Sequence, residues 1–401
     1  MRTWIISEVY YPDKTSTAVL LTQLADGLAA SHDVAVLTGP PKESNAHLPA
    51  MQQIGGVAVY RAFGTRGSQH YLASRALNMI TVSAAIGWKA LCSFRRGDCA
   101  IVVTNPPVLP YLVAIAARLR GAHAILLVHD VYPEVLEVVG IINSRSFAGR
   151  MANRLATWLY RQMNAIVVIG RDMRRIVERH LGSSENSLVC IANWTDGEIE
   201  CLAEPDPALR KRLGLTGKFV IQYSGNMGRT HDLEILFQAA ERLRSYPDIH
   251  FLFVGGGAQK AWITNKAAKS GLSNVTVADW FPRSELSAAL SIGDLGVVSF
   301  KPGMSGVSVP SRMYNIFASG RPILAVSEPD SETAIVVAEH KVGFVVSPSD
   351  CDTLVDTILS AASDRDNLRE MGARARVLAE TKYSFEESLR CYEALIDMVS
   401  R

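Results

Sequence analysis

Residues 3–39, TWIISEVYYPDKTSTAVLLTQLADGLAASHDVAVLTG, decide the fold of this chain. An apolar run rich in Ile is followed by a helical pattern and then by a second apolar run, which is the order strand, helix, strand. Further runs of this kind stand at 99–105 (CAIVVTN), 123–130 (HAILLVHD) and 165–170 (AIVVIG). Continuous apolar strands are typical of a parallel sheet that is buried on both faces. With crossover helices between them, they predict a doubly wound α/β domain.

A second series of strands and helices begins with FVIQYSG at 219–225. We therefore predict two α/β domains, at 1–195 and 196–383. The stretch 193–217, which is acidic and contains two prolines, marks the boundary between them. An amphipathic helix is predicted at 384–401, and it can pack on either domain, including back on the first.

Composition limits the class of protein. The chain has 401 residues, of which 48% are hydrophobic and 20% are charged, as in soluble globular enzymes. With 41 Lys and Arg against 39 Asp and Glu, the net charge of +2 gives no argument for nucleic acid binding. The six cysteines form no C-x-x-C pair, which favours reduced thiols in the cytoplasm. No signal-peptide pattern is found, and no apolar segment reaches the ~20 residues that span a bilayer.

The positive charge is unevenly placed along the chain. Residues 145–179 contain eight Arg and two acidic residues. Residues 76–88 form an uncharged apolar run between Arg75 and Lys89, with further basic residues after it. The two segments together predict attachment to an anionic membrane surface. The alternatives are a solvated helix face for the first segment and a buried core helix for the second.

Residues 223–229 (YSGNMGR) follow the first strand of the second domain and precede a helix. The two glycines allow a ligand to approach the backbone closely, and Arg229 can pair with phosphate. Thr230 is placed to cap the helix, whose N-terminus attracts anions. A plain strand-to-helix turn explains the glycines equally well.

Residues 301–323 form the most informative segment of the chain. Gly303 and Gly306 predict a flexible loop after a strand. A helix is predicted to start near Pro310 and to end at Gly320. The N-terminal amides of this helix are candidates to hold an anionic leaving group, together with Ser308, Ser311 and Arg312.

The first domain has two candidate loops at the carboxyl ends of its strands. A lone His is usually structural, but His129, Asp130 and Glu134 stand together where sites form in such sheets. The spacing from His129 to Glu134 does not place two metal ligands on one helix face. The other loop follows the first strand, and it offers either a phosphate contact or an ordinary turn at Thr15, Ser16 and Thr17.

These pieces, in this order, resemble retaining glycosyltransferases of the GT-B fold in sequence family 4. They are most similar to bacterial enzymes of exopolysaccharide and O-antigen (lipopolysaccharide) synthesis, the colanic-acid-type and L-fucosamine-transferase-like group. The resemblance spans nearly the whole chain, and it is carried by VYYPDKTST (9–17), TNPP (104–107), HDVYPEVLEVVGII (129–142), IANWTD (191–196), YSGNMGRTHDLEIL (223–236) and GVSVPSRMYNIFASGRPILA (306–325).

The resemblance implies two Rossmann-like domains that face each other across a central cleft. The C-terminal domain would hold a nucleotide-sugar donor, with a UDP-sugar favoured, and the N-terminal domain would hold the acceptor. No metal and no other cofactor is expected. The expected acceptor is a polyprenyl-diphosphate-linked saccharide, which would place this cytoplasmic protein peripherally at the inner face of the cytoplasmic membrane.

The resemblance also implies roles for single residues. Arg229 and Arg312 would stabilise the departing diphosphate, and His129 and Asp130 would orient the donor sugar and the incoming hydroxyl. Substrate contacts are expected at Thr15, Ser16, Thr17, Glu134, Gly225, Asn226, Gly228, Gly306, Val307, Ser308, Ser311 and Asn315.

The chain departs from the family pattern in the first loop, where the usual Gly-Gly is replaced around Thr15, Ser16 and Thr17, and at three positions of the second domain. The family often carries two Glu separated by seven residues, where this chain has Val307 and Asn315, and a Lys where it has His231. Two other functions therefore remain open. One is a nucleotide-sugar epimerase or hydrolase on the same fold, and the other is an inactive partner subunit of a glycosyltransferase.

Overall fold

The computed structural model describes residues 1–42, 48–65, 72–182 and 187–400, except for the side chains at positions 72, 73 and 75. The chain forms two compact units. Unit 1 comprises Met1–Ala192 together with Ser388–Arg401, and unit 2 comprises Asn193–Glu387. The boundaries of the units therefore lie a few residues away from those predicted at 195/196 and 383/384.

Unit 1 is built on a sheet whose described strands have the order β3-β4-β2-β1-β5-β6-β7-β8. β3 and β4 are antiparallel, and the other described pairs are parallel. The strands are β1 (Arg2–Ser7), β2 (Asp33–Thr38), β3 (Met51–Ile54), β4 (Val57–Arg61), β5 (Cys99–Val103), β6 (His123–Val128), β7 (Ala165–Val168) and β8 (Ser187–Cys190).

The helices of unit 1 cover both faces of this sheet. They are α1 (Ser16–Leu28), α2 (Leu72–Ser93), α3 (Leu109–Arg120), α4 (Glu134–Val138), α5 (Phe147–Gln162) and α6 (Arg171–Leu181). Parallel strands are joined by right-handed crossovers. The crossover from β1 to β2 runs in one direction across the sheet, and the later crossovers run in the other. Therefore α1 lies on one face of the sheet, whereas α2, α3, α5 and α6 lie on the opposite face.

Unit 2 has a parallel sheet whose described strands have the order β11-β10-β9-β12-β13-β14. The strands are β9 (Phe219–Ser224), β10 (Ile249–Val254), β11 (Val275–Ala278), β12 (Leu295–Ser299), β13 (Ile323–Val326) and β14 (Gly343–Val346). The helices are α7 (Pro207–Arg212), α8 (Leu233–Arg242), α9 (Lys260–Ser270), α10 (Leu286–Ser291), α11 (Arg312–Ala318), α12 (Glu332–His340), α13 (Cys351–Ser363) and α14 (Arg365–Glu380), with a 3₁₀ turn at Arg283–Glu285.

The central strands have the burial that the apolar runs predict. All six residues of β10, IHFLFV, are buried, and burial of each large apolar side chain contributes about 1.5–3 kcal/mol. The one polar member of this strand, His250, is satisfied because its Nε2 lies 2.9 Å from the hydroxyl of Thr276 in β11. The two sheets, of which one is parallel and the other is parallel except for the β3–β4 pair, have helices between their strands and confirm the predicted doubly wound α/β class.

The last helix, α15 (Phe385–Ser400), begins in unit 2 and continues into unit 1. In unit 1 it packs near the end of α1: the hydroxyl of Ser31 donates to Glu393 at 2.6 Å. His32 lies 3.7 Å from Asp397. No helix among the described residues has both the length and the apolar character needed to cross a membrane.

Candidate active site

Each sheet has one place where neighbouring strands send their helices to opposite faces. In unit 1 this place lies between β1 and β5, and in unit 2 it lies between β9 and β12. Open α/β sheets bind ligands beyond the carboxyl ends of the strands at such a switch point. The loops that the sequence singled out follow these strands or, for His129, the adjacent β6.

In unit 2, the loops after β9 and β12 are joined by hydrogen bonds. The amide of Lys301 donates to the carbonyl of Thr230 at 3.0 Å. The hydroxyl of Ser299 donates to the carbonyl of Asp232 at 2.6 Å. The two segments predicted independently from the sequence, 223–229 and 301–323, are therefore brought together at one edge of the sheet.

A glycine turn after β10 supports the β9 loop. The amide of Met227 donates to the carbonyl of Gly256 at 2.6 Å. Gly255 has a φ of +135° and Gly257 one of +124°. A Cβ at either position would also collide with the β9 loop, at the carbonyl of Gly225 or at the side chain of Asn226. Only glycine allows the two loops to approach this closely.

Arg312 is held where the two loops meet. Its guanidinium lies over the ring of Tyr223, with Cζ 4.1 Å from the ring centroid. Its Nη2 donates to the carbonyl of Asn226 at 2.8 Å, and that carbonyl also accepts from the hydroxyl of Tyr223. Nη1 is buried and has no hydrogen-bond acceptor among the described residues. Because an unmade bond of this kind costs about 1–3 kcal/mol, an anionic oxygen at this position would be stabilised.

The ring of His231 is neutral, and it fixes the position of Arg312. Its Nδ1 lies 3.0 Å from the carbonyl of Ser299, which can only accept, so Nδ1 carries the hydrogen. Nε2 then presents its lone pair to Nη2 of Arg312 at 3.3 Å. Burial, and next the charge of Arg312, lower the pKa of His231 to about 3. The ring also stacks on Phe300, with centroids 5.1 Å apart.

The other residues predicted for unit 2 differ in their exposure to solvent. Asn226 and Arg229 are exposed, and Gly225 lies against the guanidinium of Arg312. Val307 is only 2% exposed. Gly306 is also buried, and partly buried positions are taken by Gly228, Ser308, Ser311 and Asn315.

One predicted helix start is confirmed to within two residues, and one predicted cap is wrong. α11 begins at Arg312, two residues after Pro310, because the chain first makes a turn in which the amide of Met313 donates to the carbonyl of Pro310. The cap of α8 is Asp232, whose carboxylate accepts from the amide of Ile235 at 3.2 Å, and not Thr230. The predicted end of α11 is confirmed, since Gly320 has a φ of +65°.

Sequence reasoning missed two residues at this edge. Glu328, after β13, accepts from the amides of Gly303 and Ser305 at 3.0 and 2.9 Å and so holds the turn of the β12 loop. Trp280, after β11, is 59% exposed and lies beside Gly255 and Gly256. An acidic residue or a Trp just after an apolar strand is the signal that could have identified them.

In unit 1, Thr104 organises the loop after β6. Its buried hydroxyl accepts from the amides of His129 and Asp130 at 3.1 and 3.2 Å. His129 and Asp130 are partly buried. Burial lowers the pKa of His129 to about 4, so the ring is neutral at pH 7. The loops after β1, β5 and β6 each contain a cis X-Pro bond, at Pro12, Pro106 and Pro133.

The remaining unit 1 candidates have structural partners. Thr15 caps α1, since its hydroxyl accepts from the amide of Ala18 at 3.3 Å, and Ser16 and Thr17 begin that helix at exposed and half-buried positions. Glu134 lies 2.9 Å from Nε2 of His180 in α6. This contact gives Glu134 a packing role, and its contact with a substrate stays a prediction.

Among the described residues, no group of three or more His, Cys, Asp or Glu is arranged to hold a metal ion. The independence from metal that the sequence led us to expect stays a prediction.

Residues 17–194 match the family described as Glycosyl transferase 4-like domain. Residues 206–378 match the family described as Glycosyl transferases group 1. Each unit therefore matches a glycosyltransferase family over most of its length. The first match lies in unit 1 except for its last two residues, which follow Ala192, and the second lies within unit 2.

Named relatives are similar over most of the chain. The probable glycosyltransferase WbjE of Pseudomonas aeruginosa is 29% identical over 335 residues, which are 82% of each protein. The putative colanic acid biosynthesis glycosyl transferase WcaI of Escherichia coli K12 is 27% identical over 399 residues, which are 95% of this chain and 96% of WcaI.

Solved structures confirm the predicted GT-B fold. A sucrose-phosphate synthase from Thermosynechococcus elongatus superposes with a TM-score of 0.76 at 15% identity, covering 100% of this chain and 99% of the other. HepE from Anabaena, in complex with UDP-glucose, superposes with a TM-score of 0.73 at 15% identity, covering 99% and 100%.

Proposed function

We propose that this protein transfers a sugar from a nucleoside diphosphate sugar to a lipid-linked saccharide, with retention at the anomeric carbon, in the synthesis of a bacterial surface polysaccharide. The observation that carries the proposal is Arg312, which is fixed at the switch point of unit 2 and has one buried donor that lacks an acceptor in the described part of the chain. The name of WcaI, a putative colanic acid biosynthesis glycosyl transferase, supports a polysaccharide product, and the name of WbjE supports glycosyl transfer. The UDP-glucose complex of HepE supports a UDP-sugar as the donor.

In this proposal unit 2 binds the donor. Breaking the bond between sugar and phosphate moves negative charge onto the departing diphosphate. The guanidinium of Arg312 and the exposed Arg229 stabilise this charge, and they need little rearrangement because Tyr223, Asn226 and His231 already orient Arg312. The backbone at Gly225 and Gly228 lets the phosphates approach the β9 loop closely. Asn315 contacts the ribose.

Retention follows from the resemblance to retaining enzymes. The departing phosphate accepts the proton of the acceptor hydroxyl on the same face of the sugar, so that no protein base is required. His129, neutral at pH 7, hydrogen-bonds to the reacting sugars together with Asp130 rather than acting as a cation. The reaction needs no metal ion in this proposal, because the arginines supply the positive charge.

Unit 1 binds the acceptor, a saccharide on polyprenyl diphosphate, and the protein works at the inner face of the cytoplasmic membrane. The N-terminal half is basic, since residues 1–200 contain 19 Lys and Arg against 15 Asp and Glu. This charge supports the proposal that the acceptor carries a diphosphate.

The proposal is tested with a thermal-shift panel of UDP, GDP, ADP and their sugars, followed by transfer assays with the donor that binds. Selective binding at 100 times Kd stabilises the folded protein by about 2.7 kcal/mol. We expect a rise in Tm with UDP that is lost in Arg312→Ala, and sugar transfer that depends on a saccharide acceptor. Donor conversion without any acceptor would instead indicate an epimerase or hydrolase, and nucleotide binding without turnover would indicate an inactive subunit.

A further inference from the structure

Three helices of unit 1, α2, α3 and α5, lie side by side on one face of the sheet. α2 approaches α3 closely at Gly87, where an added Cβ would stand 2.8 Å from the side chain of Leu112. α3 and α5 are joined by the stacked rings of Tyr111 and Trp158, whose planes differ by 4°. The contacts show that the three helices form one continuous layer.

The outer face of this layer is apolar. Of the exposed large hydrophobic side chains among the described residues, nine belong to these helices, and they are 38 to 73% exposed. On α5 they recur at intervals of four, four and three residues, which places them along one side of the helix. The nine are Leu77, Ile80, Trp88, Ile115, Leu119, Phe147, Met151, Leu155 and Trp158. We call this set the apolar face.

The charge around the apolar face has one sign. The sequences of α2, α3 and α5 contain seven Lys and Arg and no Asp or Glu. Exposed arginines extend the positive charge beyond the helix ends, at Arg95 and Arg96 after α2 and at Arg145 before α5. Acidic side chains are therefore missing from all three helices, although basic ones are common.

The next helix of the layer marks where this surface ends. α6 contains Asp172 and Glu178, and its exposed described positions carry charged side chains. No exposed large hydrophobic residue is found among its described residues. Of the two segments that the sequence singled out, 76–88 and the first part of 145–179 contribute to the apolar face, whereas the arginines at 171–179 lie in α6.

We propose that the apolar face is a docking surface for an anionic phospholipid bilayer. Apolar side chains among basic ones match the boundary between lipid tails and anionic headgroups, where each basic residue near the surface contributes about 1 kcal/mol. So many exposed large apolar side chains on one helical layer are uncommon on monomeric soluble proteins, where such residues are usually scattered singly. A purely positive rim would repel the same rim of a second copy, so the charge favours lipid over self-association. The inference deepens the proposed function and rests on it, because a polyprenyl-linked acceptor is embedded in such a bilayer.

The test is cosedimentation of the full chain with vesicles of phosphatidylglycerol and phosphatidylcholine. Trp88→Glu with Leu119→Glu places two carboxylates on the apolar face, at side chains 69 and 67% exposed. The matched control is Val377→Glu, at a residue 57% exposed in α14. We expect the double variant to bind vesicles at least about tenfold more weakly, with an unchanged Tm, and the control to bind like the wild type. Added salt should also weaken vesicle binding of the wild type, and the wild type should bind vesicles of phosphatidylcholine alone more weakly.

Three outcomes would overturn the inference. The first is that the wild type does not bind vesicles at low salt, and the second is that the double variant binds them as well as the wild type does. The third is that the wild type is a dimer, the double variant is a monomer, and neither binds vesicles. Transfer to a water-soluble saccharide acceptor separates this inference from the proposed function. The double variant should keep that activity, and if no donor and acceptor pair reacts while vesicle binding persists, it is the proposed function that fails.

Discussion

The outer helices of the two units differ in what they present to their surroundings. In unit 2, α14 carries ion pairs along its exposed side, with Arg369 to Asp366 at 2.8 Å and Arg376 to Glu380 at 2.5 Å. In unit 1, α2, α3 and α5 carry no acidic residue, and their exposed positions are apolar or basic. Since both sets of helices flank parallel sheets of similar construction, folding does not require this difference. It indicates that the two surfaces meet different environments.

The switch points of the two units differ as well. In unit 2 a cation is fixed by an aromatic ring, a carbonyl and a neutral histidine. In unit 1 a buried threonine fixes main-chain amides, and the histidine there is neutral. Under the proposed function, charge stabilisation belongs to unit 2 and acceptor binding to unit 1, and the following variants test this division.

The largest effect is expected from Arg312→Ala. Loss of the guanidinium should lower kcat/KM for sugar transfer by about 10²–10³-fold, because one preorganised donor to a developing negative charge contributes that much. Vesicle binding should be unchanged. The control is Arg374→Ala on α14, which should keep wild-type kinetics. Turnover of Arg312→Ala close to that of the wild type would exclude the arginine from the reaction.

A smaller effect, on the pH dependence of stability, is expected when the neutral histidine of unit 2 is replaced in His231→Gln. The lowered pKa of His231 means that the unfolded chain binds a proton below about pH 6.5 while the folded protein does not. Folding stability therefore falls as the pH falls, by at most about 1.4 kcal/mol per pH unit for this group. The free energy of unfolding, measured with denaturant, should fall between pH 7 and pH 5 by up to about 2 kcal/mol less in His231→Gln than in the wild type. An identical pH dependence would contradict the neutral ring.

The corresponding variant of unit 1, His129→Gln, serves as the comparison for His231→Gln. The pKa of His129 is lowered to about 4, so this ring also stays neutral at pH 5, and the change in acid destabilisation between pH 7 and pH 5 should have the same sign and nearly the same size. An unchanged pH dependence for His129→Gln would contradict the neutral ring of unit 1.

The smallest effect is expected from Glu328→Gln. The amide oxygen can still accept from one amide of the β12 loop, but the charge-assisted bonds to Gly303 and Ser305 are weakened. The KM for the donor should rise by about fivefold, equivalent to about 1 kcal/mol, with kcat little changed. Glu370→Gln on α14 is the control. A fall in kcat without a change in KM would show that Glu328 acts on the reaction and not on the loop.

The fold could be predicted from the sequence because its signals are local. Apolar runs such as IHFLFV identify buried strands without knowledge of their neighbours, and Gly320 ends a helix through its own backbone. The cap predicted at Thr230 was wrong because Asp232 can serve equally well, and the geometry of the turn selects between them.

The site was predictable only in part. Arg229 and Arg312 follow from their loops, but the contact of His231 with Arg312 joins residues 81 positions apart and depends on β9 lying beside β12. The apolar face shows the same limit. Ile115 and Leu119 look like core residues of a crossover helix, and their exposure becomes visible only when α2 and α5 are in place.

The path of α15 has a consequence for how the protein matures. Unit 1 is assembled from both ends of the chain, since Ser388–Arg401 belong to it, whereas unit 2 is one continuous segment. During translation residues 1–192 are made before unit 2, yet the contacts of Ser31 and His32 with α15 form only after residues 193–387 have been synthesised. Unit 1 is therefore completed only after unit 2 has been made, and loss of residues 388–401 would damage unit 1 rather than unit 2.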